Sequence, residues 1–237
     1  MESLNGKTIV IIGASGGMGQ AICRALVGKG ANLALASNQP QELAALADEM
    51  QTAGVPVFWQ DLDALNELQV SGFFKAAMSR FKRLDMLLYL PGVSVPGKIS
   101  ETTLEQYRLM MDVNVTGAFL CAKHYLPTVQ PEQGGMILLI SSMAARRANA
   151  NAPLYCTAKA ALSMFSQAMA LQVKASNVRI TTLNPGPTDT AFWGSRPVPR
   201  EKFMQTSDIA EVVLFLLQSS PRIVFHEVSF ESFQTFG

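Results

Sequence analysis

Residues 8–19 read Thr-Ile-Val-Ile-Ile-Gly-Ala-Ser-Gly-Gly-Met-Gly, and this stretch decides the fold. Thr8–Ile12 is a short, β-branched, apolar run, the composition of a strand buried on both faces of a parallel sheet. A glycine-rich turn follows at once. Residues 20–27 then show helical spacing, with Ile22, Ala25 and Leu26 on one side and Gly28 and Gly30 ending the helix. Strand, glycine turn and helix form the context of a dinucleotide phosphate site. The glycines let backbone approach a pyrophosphate, and the N–H groups and dipole at the helix start attract its charge. The spacing is G-x-x-x-G-x-G, not the more familiar G-x-G-x-x-G. A glycine cluster can be a plain tight turn, but its place after the first buried strand favours the nucleotide reading.

The same alternation runs through the chain. Residues 31–36 read as a second strand, followed by the turn Ser37-Asn38-Gln39-Pro40, whose proline opens a helix over 41–52. A third strand spans 55–59 and leads into Asp61-Leu62, with Asp63 placed to cap a helix over 64–81. Residues 86–90 form a fourth strand ending in Pro91-Gly92. A long helix spans 101–126, with Asn114 near its middle and Pro127 closing it. Residues 136–140 form a fifth strand, and Pro153 opens a helix running to about residue 174. A sixth strand spans 178–183. Residues 186–205 are proline-rich and read as a mobile loop over the site. A helix from Ser207 or Asp208 to 218 and a strand over 222–230 follow, with a polar and aromatic tail over 231–237. This order predicts a single-domain α/β protein with a doubly wound, seven-stranded parallel sheet. Ligands of such sheets bind at the C-terminal strand edge. The 13–19 loop, Ser37, Asp61, Gly92, Ser142 and Pro185-Gly186 should therefore meet in one crevice.

Composition excludes several functions. The 237 residues carry 19 basic and 18 acidic side chains, so neither a nucleic-acid surface nor an acidic tail is indicated. Cys23, Cys121 and Cys156 are odd in number and form no Cys-x-x-Cys pair, which argues against disulfides and zinc and for a reducing compartment. His124 and His226 are the only histidines, a poor supply for a metal site or a histidine-based mechanism. The N-terminal residues show no charged leader followed by a long apolar run. No stretch reaches the roughly 18 apolar residues of a spanning helix. A soluble cytoplasmic protein with no membrane partner is the expectation.

Within residues 140–162, Tyr155 and Lys159 stand four positions apart on one helix face. A phenol, with an ordinary pKa of roughly 10, is a poor proton donor or acceptor at neutral pH. An ammonium beside it favours the phenolate and is expected to pull that value down. Ser142, just after the fifth strand, could hold a substrate oxygen facing the tyrosine. Tyr-x-x-x-Lys is by itself common, and taken alone it is better explained by an ordinary helix carrying both residues. At the end of the second strand, a carboxylate would bond both ribose hydroxyls and repel a 2′-phosphate. Ser37 and Asn38 stand there instead, which tolerates NADP, although no arginine or lysine lies in that turn. Asp61 could accept from an adenine amino group, or be a plain turn residue.

Taken together, the chain resembles a short-chain dehydrogenase/reductase of the Rossmann type. The glycine loop, Asp61, Asn114-Val-Thr-Gly117, Ser142, Tyr155-x-x-x-Lys159 and Asn184-Pro-Gly186 carry the likeness. It covers nearly the whole chain, from Lys7 to about Phe230. The resemblance implies a catalytic tetrad of Asn114, Ser142, Tyr155 and Lys159. Ser142 and Tyr155 would bind the carbonyl oxygen, Tyr155 would supply the proton, Lys159 would hold the nicotinamide ribose, and Asn114 would keep a water in line. It also implies cofactor contacts at Gly13, Ser15, Gly17, Met18, Gly19, Ser37, Asn38, Asp61, Leu62, Gly92, Pro185, Gly186, Thr188 and Thr190. Two positions depart from the family pattern. Ile12 stands where a threonine usually precedes the loop, and Tyr89-Leu90-Pro91-Gly92 replaces the usual Asn-Asn-Ala-Gly.

The resemblance implies a reductase of ketone or 3-oxoacyl substrates, and the missing acidic residue at Ser37 favours NADP over NAD. The alternatives are an NAD-dependent alcohol dehydrogenase and a catalytically idle nucleotide-binding redox sensor. The pocket lip is expected at 91–95, 143–149 and 191–197, where Met143, Ala144, Ala145, Phe192 and Trp193 suit an apolar substrate body. Arg146 and Arg147 are either solvated loop charges or partners for an acidic group, such as a carrier phosphate. The family commonly forms homodimers or homotetramers through its two long helices, here over about 103–126 and 153–174.

Overall fold

The computed structural model describes residues 1–235. Seven strands form one parallel sheet: β1 Thr8–Ile12, β2 Asn32–Ser37, β3 Val57–Asp61, β4 Met86–Tyr89, β5 Gly135–Ile140, β6 Val178–Pro185 and β7 Glu227–Phe230. Their order is β3-β2-β1-β4-β5-β6-β7, so the chain reverses direction across the sheet between β1 and β4. β1 is central and buried along its whole length. Its alternate residues feed two cores. Ile9 and Ile11 pack on one face of the sheet, and Val10 and Ile12 on the other. This is the pattern of a parallel strand with both faces covered. Ile12, at the first departure from the family pattern, is a core residue.

Seven helices cover the faces: α1 Gly17–Ala25, α2 Pro40–Thr52, α3 Glu67–Phe81, α4 Leu104–Met111, α5 Gly117–Tyr125, α6 Pro153–Val173 and α7 Thr206–Leu217. Several boundaries differ from the sequence expectation, each for a local reason. α1 begins inside the glycine loop because the Gln20 N–H already donates to the Gly16 carbonyl. β3 begins at Val57, not at 55, because the Val55 N–H closes the end of α2 on the Met50 carbonyl. Asp63 does not cap α3. Its carboxylate accepts from the Leu65 N–H in a local turn, and Asn66 caps the helix by accepting from the Gln69 N–H. β7 is shorter than 222–230 because its approach is held by a side chain. Arg179 donates to the Ser220 and Ile223 carbonyls in place of a strand ladder.

The long helix over 101–126 is broken in two. α4 starts on a capping box between Thr103 and Gln106. A π turn, Asp112–Thr116, then separates it from α5 and carries Asn114. Single π turns of this kind recur at functional sites. The 186–205 loop contains two short turns, Ala191–Trp193 and Arg200–Lys202, and is fastened by an Arg200–Asp189 ion pair at 3.0 Å. Residues 236 and 237 of the tail lie outside the described residues.

Candidate active site

A cleft of about 1320 Å³ opens along the C-terminal strand edge. It is lined from the glycine loop at one end to Tyr155, Phe192 and Trp193 at the other. At the loop end Gly13 has φ +81°, a conformation that L side chains rarely adopt. Gly19 has no room for a side chain, since a Cβ there would lie 2.5 Å from the Ala14 carbonyl oxygen. Gly17 and Met18 line the same wall, and Gly16, the residue before α1, puts no side-chain cap on its first amides. Close backbone, an uncapped helix start and no acidic residue in the first turn together fit a pyrophosphate.

Beyond the loop the wall is neutral. The Ser15 and Ser37 hydroxyls lie 2.5 Å apart, and Ser15 donates to the Gln39 side-chain oxygen at 3.0 Å. Asn38 is exposed beside them. Leu62 is buried, lines the cleft and donates its N–H to the Ser37 carbonyl. Asp61 ends β3 with its side chain exposed and lies outside the lining, whereas Asp63 is on it. The sequence reading places Gln39 in a turn and Asp63 at a helix cap, and expects neither on the cleft.

At the other end, the Lys159 side chain runs beneath the cleft floor. It is 2% exposed, and its Nζ donates to the Ile140 carbonyl at 2.9 Å, which ties α6 to the end of β5. That Nζ lies 5.8 Å from the Tyr155 ring centroid. The Ser142 hydroxyl accepts from the Ala144 N–H at 3.1 Å and stays on the cleft wall. The expected lowering of the Tyr155 pKa by Lys159 is corrected here. Desolvation by the cleft walls pushes the phenol up to about 12, against a smaller downward pull from Ser142 and Arg196. Burial likewise pushes the Lys159 amine down to about 7. For both groups the cost of desolvating the charged form sets the direction.

Asn114 does not line the cleft but stands directly behind it. Its amide nitrogen donates to the Val93 and Met110 carbonyls, both at 2.8 Å. Its Oδ1 is buried without a partner among the described residues. A Cβ added to Gly92 would lie 3.1 Å from Lys159 Nζ and 3.2 Å from Asn114 Oδ1. The missing side chain of Gly92 therefore leaves the gap between the amine and the orphan oxygen. Buried polar atoms of this kind are usually satisfied, and the gap suits a small polar guest such as water. Pro91, the second departure from the family pattern, packs on Gly13, where a Cβ would sit 3.1 Å from its Cδ.

Pro185, Gly186, Thr188 and Thr190 all line the cleft. Gly186 has a structural reason as well, because a Cβ there would lie 2.5 Å from that of Glu231. Thr190 accepts from the Phe192 N–H at 3.3 Å, and Thr188 donates to the Gly186 carbonyl at 3.2 Å. Arg146 and Arg147 are not unpaired loop charges: they pair with Glu227 and Glu231, and Arg147 also lines the cleft. Neither carboxylate could be assigned to them from sequence, since each lies about eighty residues away along the chain. Among the described residues no cluster of potential metal ligands occurs, and no helix is long and apolar enough to cross a membrane.

A glycine cradle at the switch point of a doubly wound sheet, with a Tyr-Lys pair at the far end of the same cleft, defines the class of nicotinamide-dependent oxidoreductases. The family model for short chain dehydrogenases matches residues 7–199. An uncharacterized oxidoreductase of Staphylococcus aureus is 28% identical over 230 residues, covering 97% of this chain and 98% of that protein. Among solved structures, an alcohol dehydrogenase from the archaeon Thermococcus sibiricus, complexed with 5-hydroxy-NADP, is similar. It is 31% identical with a TM-score of 0.90, and 98% of each chain is covered. A 7 alpha-hydroxysteroid dehydrogenase complexed with NADH and 7-oxo glycochenodeoxycholic acid is 27% identical. Its TM-score is 0.88, with 96% of this chain and 93% of that one covered. The chain belongs to the short-chain dehydrogenase family and is an NAD(P)-dependent oxidoreductase of that family.

Proposed function

We propose that the protein transfers a hydride between NADP(H) and a ketone or the matching secondary alcohol, with Tyr155 as the general acid or base. The observation that carries this reading is one cleft holding the glycine cradle at one end and Tyr155, Ser142 and Lys159 at the other. When bound, the nicotinamide supplies or accepts the hydride. The α1 start and Gly13, Gly17, Met18 and Gly19 hold the pyrophosphate. Ser15, Ser37 and Asn38 meet the adenosine ribose, with Leu62 and Asp63 toward the adenine in place of the expected Asp61, which lies outside the lining. The Gly92 backbone, Pro185, Gly186, Thr188 and the Thr190 hydroxyl receive the nicotinamide half.

Ser142 and Tyr155 donate hydrogen bonds to the substrate oxygen, and in reduction the Tyr155 proton passes to it. The phenol is protonated at neutral pH, and its upward shift makes it a weaker acid that needs a neighbouring cation to give up the proton. Lys159 holds the nicotinamide ribose. Negative charge entering the cleft favours its ammonium form, which then stabilises the phenolate left by proton transfer. Asn114 Oδ1 accepts from a water in the gap beside Gly92, which returns a proton toward Lys159.

Following NADPH and NADH absorbance with a panel of ketones tests the reading, and no oxidation of either by any carbonyl would count against it. An NAD-linked dehydrogenase acting on alcohols is the second reading, favoured by the lack of any lysine or arginine at the Ser37 end of the lining. A 3-oxoacyl substrate on a phosphate-bearing carrier loses its main support, because Arg146 and Arg147 are already paired. We also infer a homodimer or homotetramer, supported by exposed Tyr107, Phe119, Met164 and Leu171 on α4, α5 and α6.

A further inference from the structure

The 191–197 segment holds a cation whose position serves no ion pair. The Arg196 guanidinium carbon lies 5.0 Å from the Phe192 ring centroid and 4.9 Å from that of Trp193. Its Nε donates to the Trp193 carbonyl at 2.9 Å, and one terminal nitrogen donates to the Phe192 carbonyl. Trp193 is itself fixed, its Nε1 donating to the Thr188 carbonyl at 2.8 Å and its ring standing 4.9 Å from Phe203. The guanidinium is thus a held plane, not a waving side chain.

A guanidinium has five N–H donors, and these contacts use two of them. The remaining edge can meet a carboxylate in bidentate fashion. Among the described residues no carboxylate lies within ion-pair distance of Arg196, while Arg146, Arg147 and Arg200 each have one. Arg196 lines the cleft, and Phe192 links it to the reaction end, with ring centroids 5.7 Å from Tyr155. Val93, Pro96, Leu109, Met143 and Ala144 supply apolar wall around that end, and Asp63, the acidic lining residue, belongs to the opposite end.

We propose that Arg196 is an anion-recognition residue of the substrate pocket, and that the substrate is an apolar or aryl ketone, or its alcohol, bearing a carboxylate several bonds from the reacting carbon. The inference rests on the carbonyl reductase reading above. The carboxylate completes the donor set of Arg196, the body packs on Phe192 and Met143, and the carbonyl reaches Tyr155 and Ser142.

The test compares 4-acetylbenzoate and 4-oxo-4-phenylbutanoate with their carboxamides, in wild type, Arg196→Gln and Arg196→Lys. Each protein's acid-to-amide ratio of kcat/KM is internal, so a general loss of folded enzyme cancels. The expected wild-type ratio for the better-fitting acid is about tenfold or more, carried mainly by KM, as a charge-assisted hydrogen bond allows. It should fall to near one in Arg196→Gln and recover in part in Arg196→Lys. A wild-type ratio near one, or a ratio that survives Arg196→Gln, overturns the proposal. If wild type reduces no carbonyl, the reductase reading fails separately. Calorimetric binding of the acids against the amides then decides the anion site, and acids bound no tighter than amides overturn it.

Discussion

The Tyr89 hydroxyl donates to the Val113 carbonyl at 2.6 Å and so ties the end of β4 to the π turn that carries Asn114. Tyr89 is fully buried, and the contact exists because Gly117 stands opposite, where a Cβ would lie 2.2 Å from the hydroxyl oxygen. The tyrosine at this departure from the family pattern therefore has a partner of its own. It braces the backbone just before Asn114, whose amide holds Val93 and Met110. Tyr89→Phe should lower stability by about 1 kcal/mol, the net worth of one hydrogen bond. Gly117→Ala should be destabilising by about 1–3 kcal/mol through overpacking, although Ala is normally the better helix former. Urea unfolding of both variants checks this, and an Ala variant as stable as wild type would remove Tyr89 as a brace.

Burial of Lys159 makes a pH signature in the cofactor-free protein. Its folded value of about 7 lies below the ordinary 10.5, so unfolding takes up a proton between those values. The destabilisation is complete below about pH 7 and is relieved as the pH rises toward 10.5. Tyr155, raised to about 12 from 10.0, acts the other way and costs stability only above pH 10. Comparing wild type with Lys159→Met by urea unfolding between about pH 7 and about pH 9.5 isolates the lysine. The gap should move in favour of wild type with rising pH, by at most about 1.4 kcal/mol per unit. Parallel curves would mean that the amine stays charged and hydrated.

Tyr155→Phe keeps the ring beside Phe192 and removes the proton. Turnover should fall on the order of 10²–10⁴-fold, while nicotinamide fluorescence still reports cofactor binding. Unchanged turnover would refute Tyr155 as the acid or base.

The Ser15–Ser37–Gln39 wall has neither the carboxylate that rejects a 2′-phosphate nor a cation that attracts it. Ser37→Asp should raise the NADPH-to-NADH ratio of dissociation constants by about tenfold or more through like-charge repulsion. Fluorescence titration with the two reduced cofactors measures this ratio. No change would place the 2′ position away from Ser37.

Much of this was legible along the chain, for physical reasons that can be named. A strand buried on both faces writes itself as Thr8–Ile12, a close phosphate approach as the 13–19 glycines, and a shared helix face as Tyr155 and Lys159. These are local patterns of period and turn chemistry, and the doubly wound, seven-stranded parallel sheet followed from them, while the order of its strands came from the structure. Boundaries were less legible where one hydrogen bond decides, as at Val55 and Asn66. What tertiary structure alone decided depends on groups far apart in sequence. It paired Arg146 with Glu227 and Arg147 with Glu231, left Arg196 with open donors, and set the empty Cβ position of Gly92 between Lys159 and Asn114. It also reversed the expected direction of the tyrosine's titration, because the cost of desolvating a charge is a property of everything packed around it and not of its neighbours along the chain.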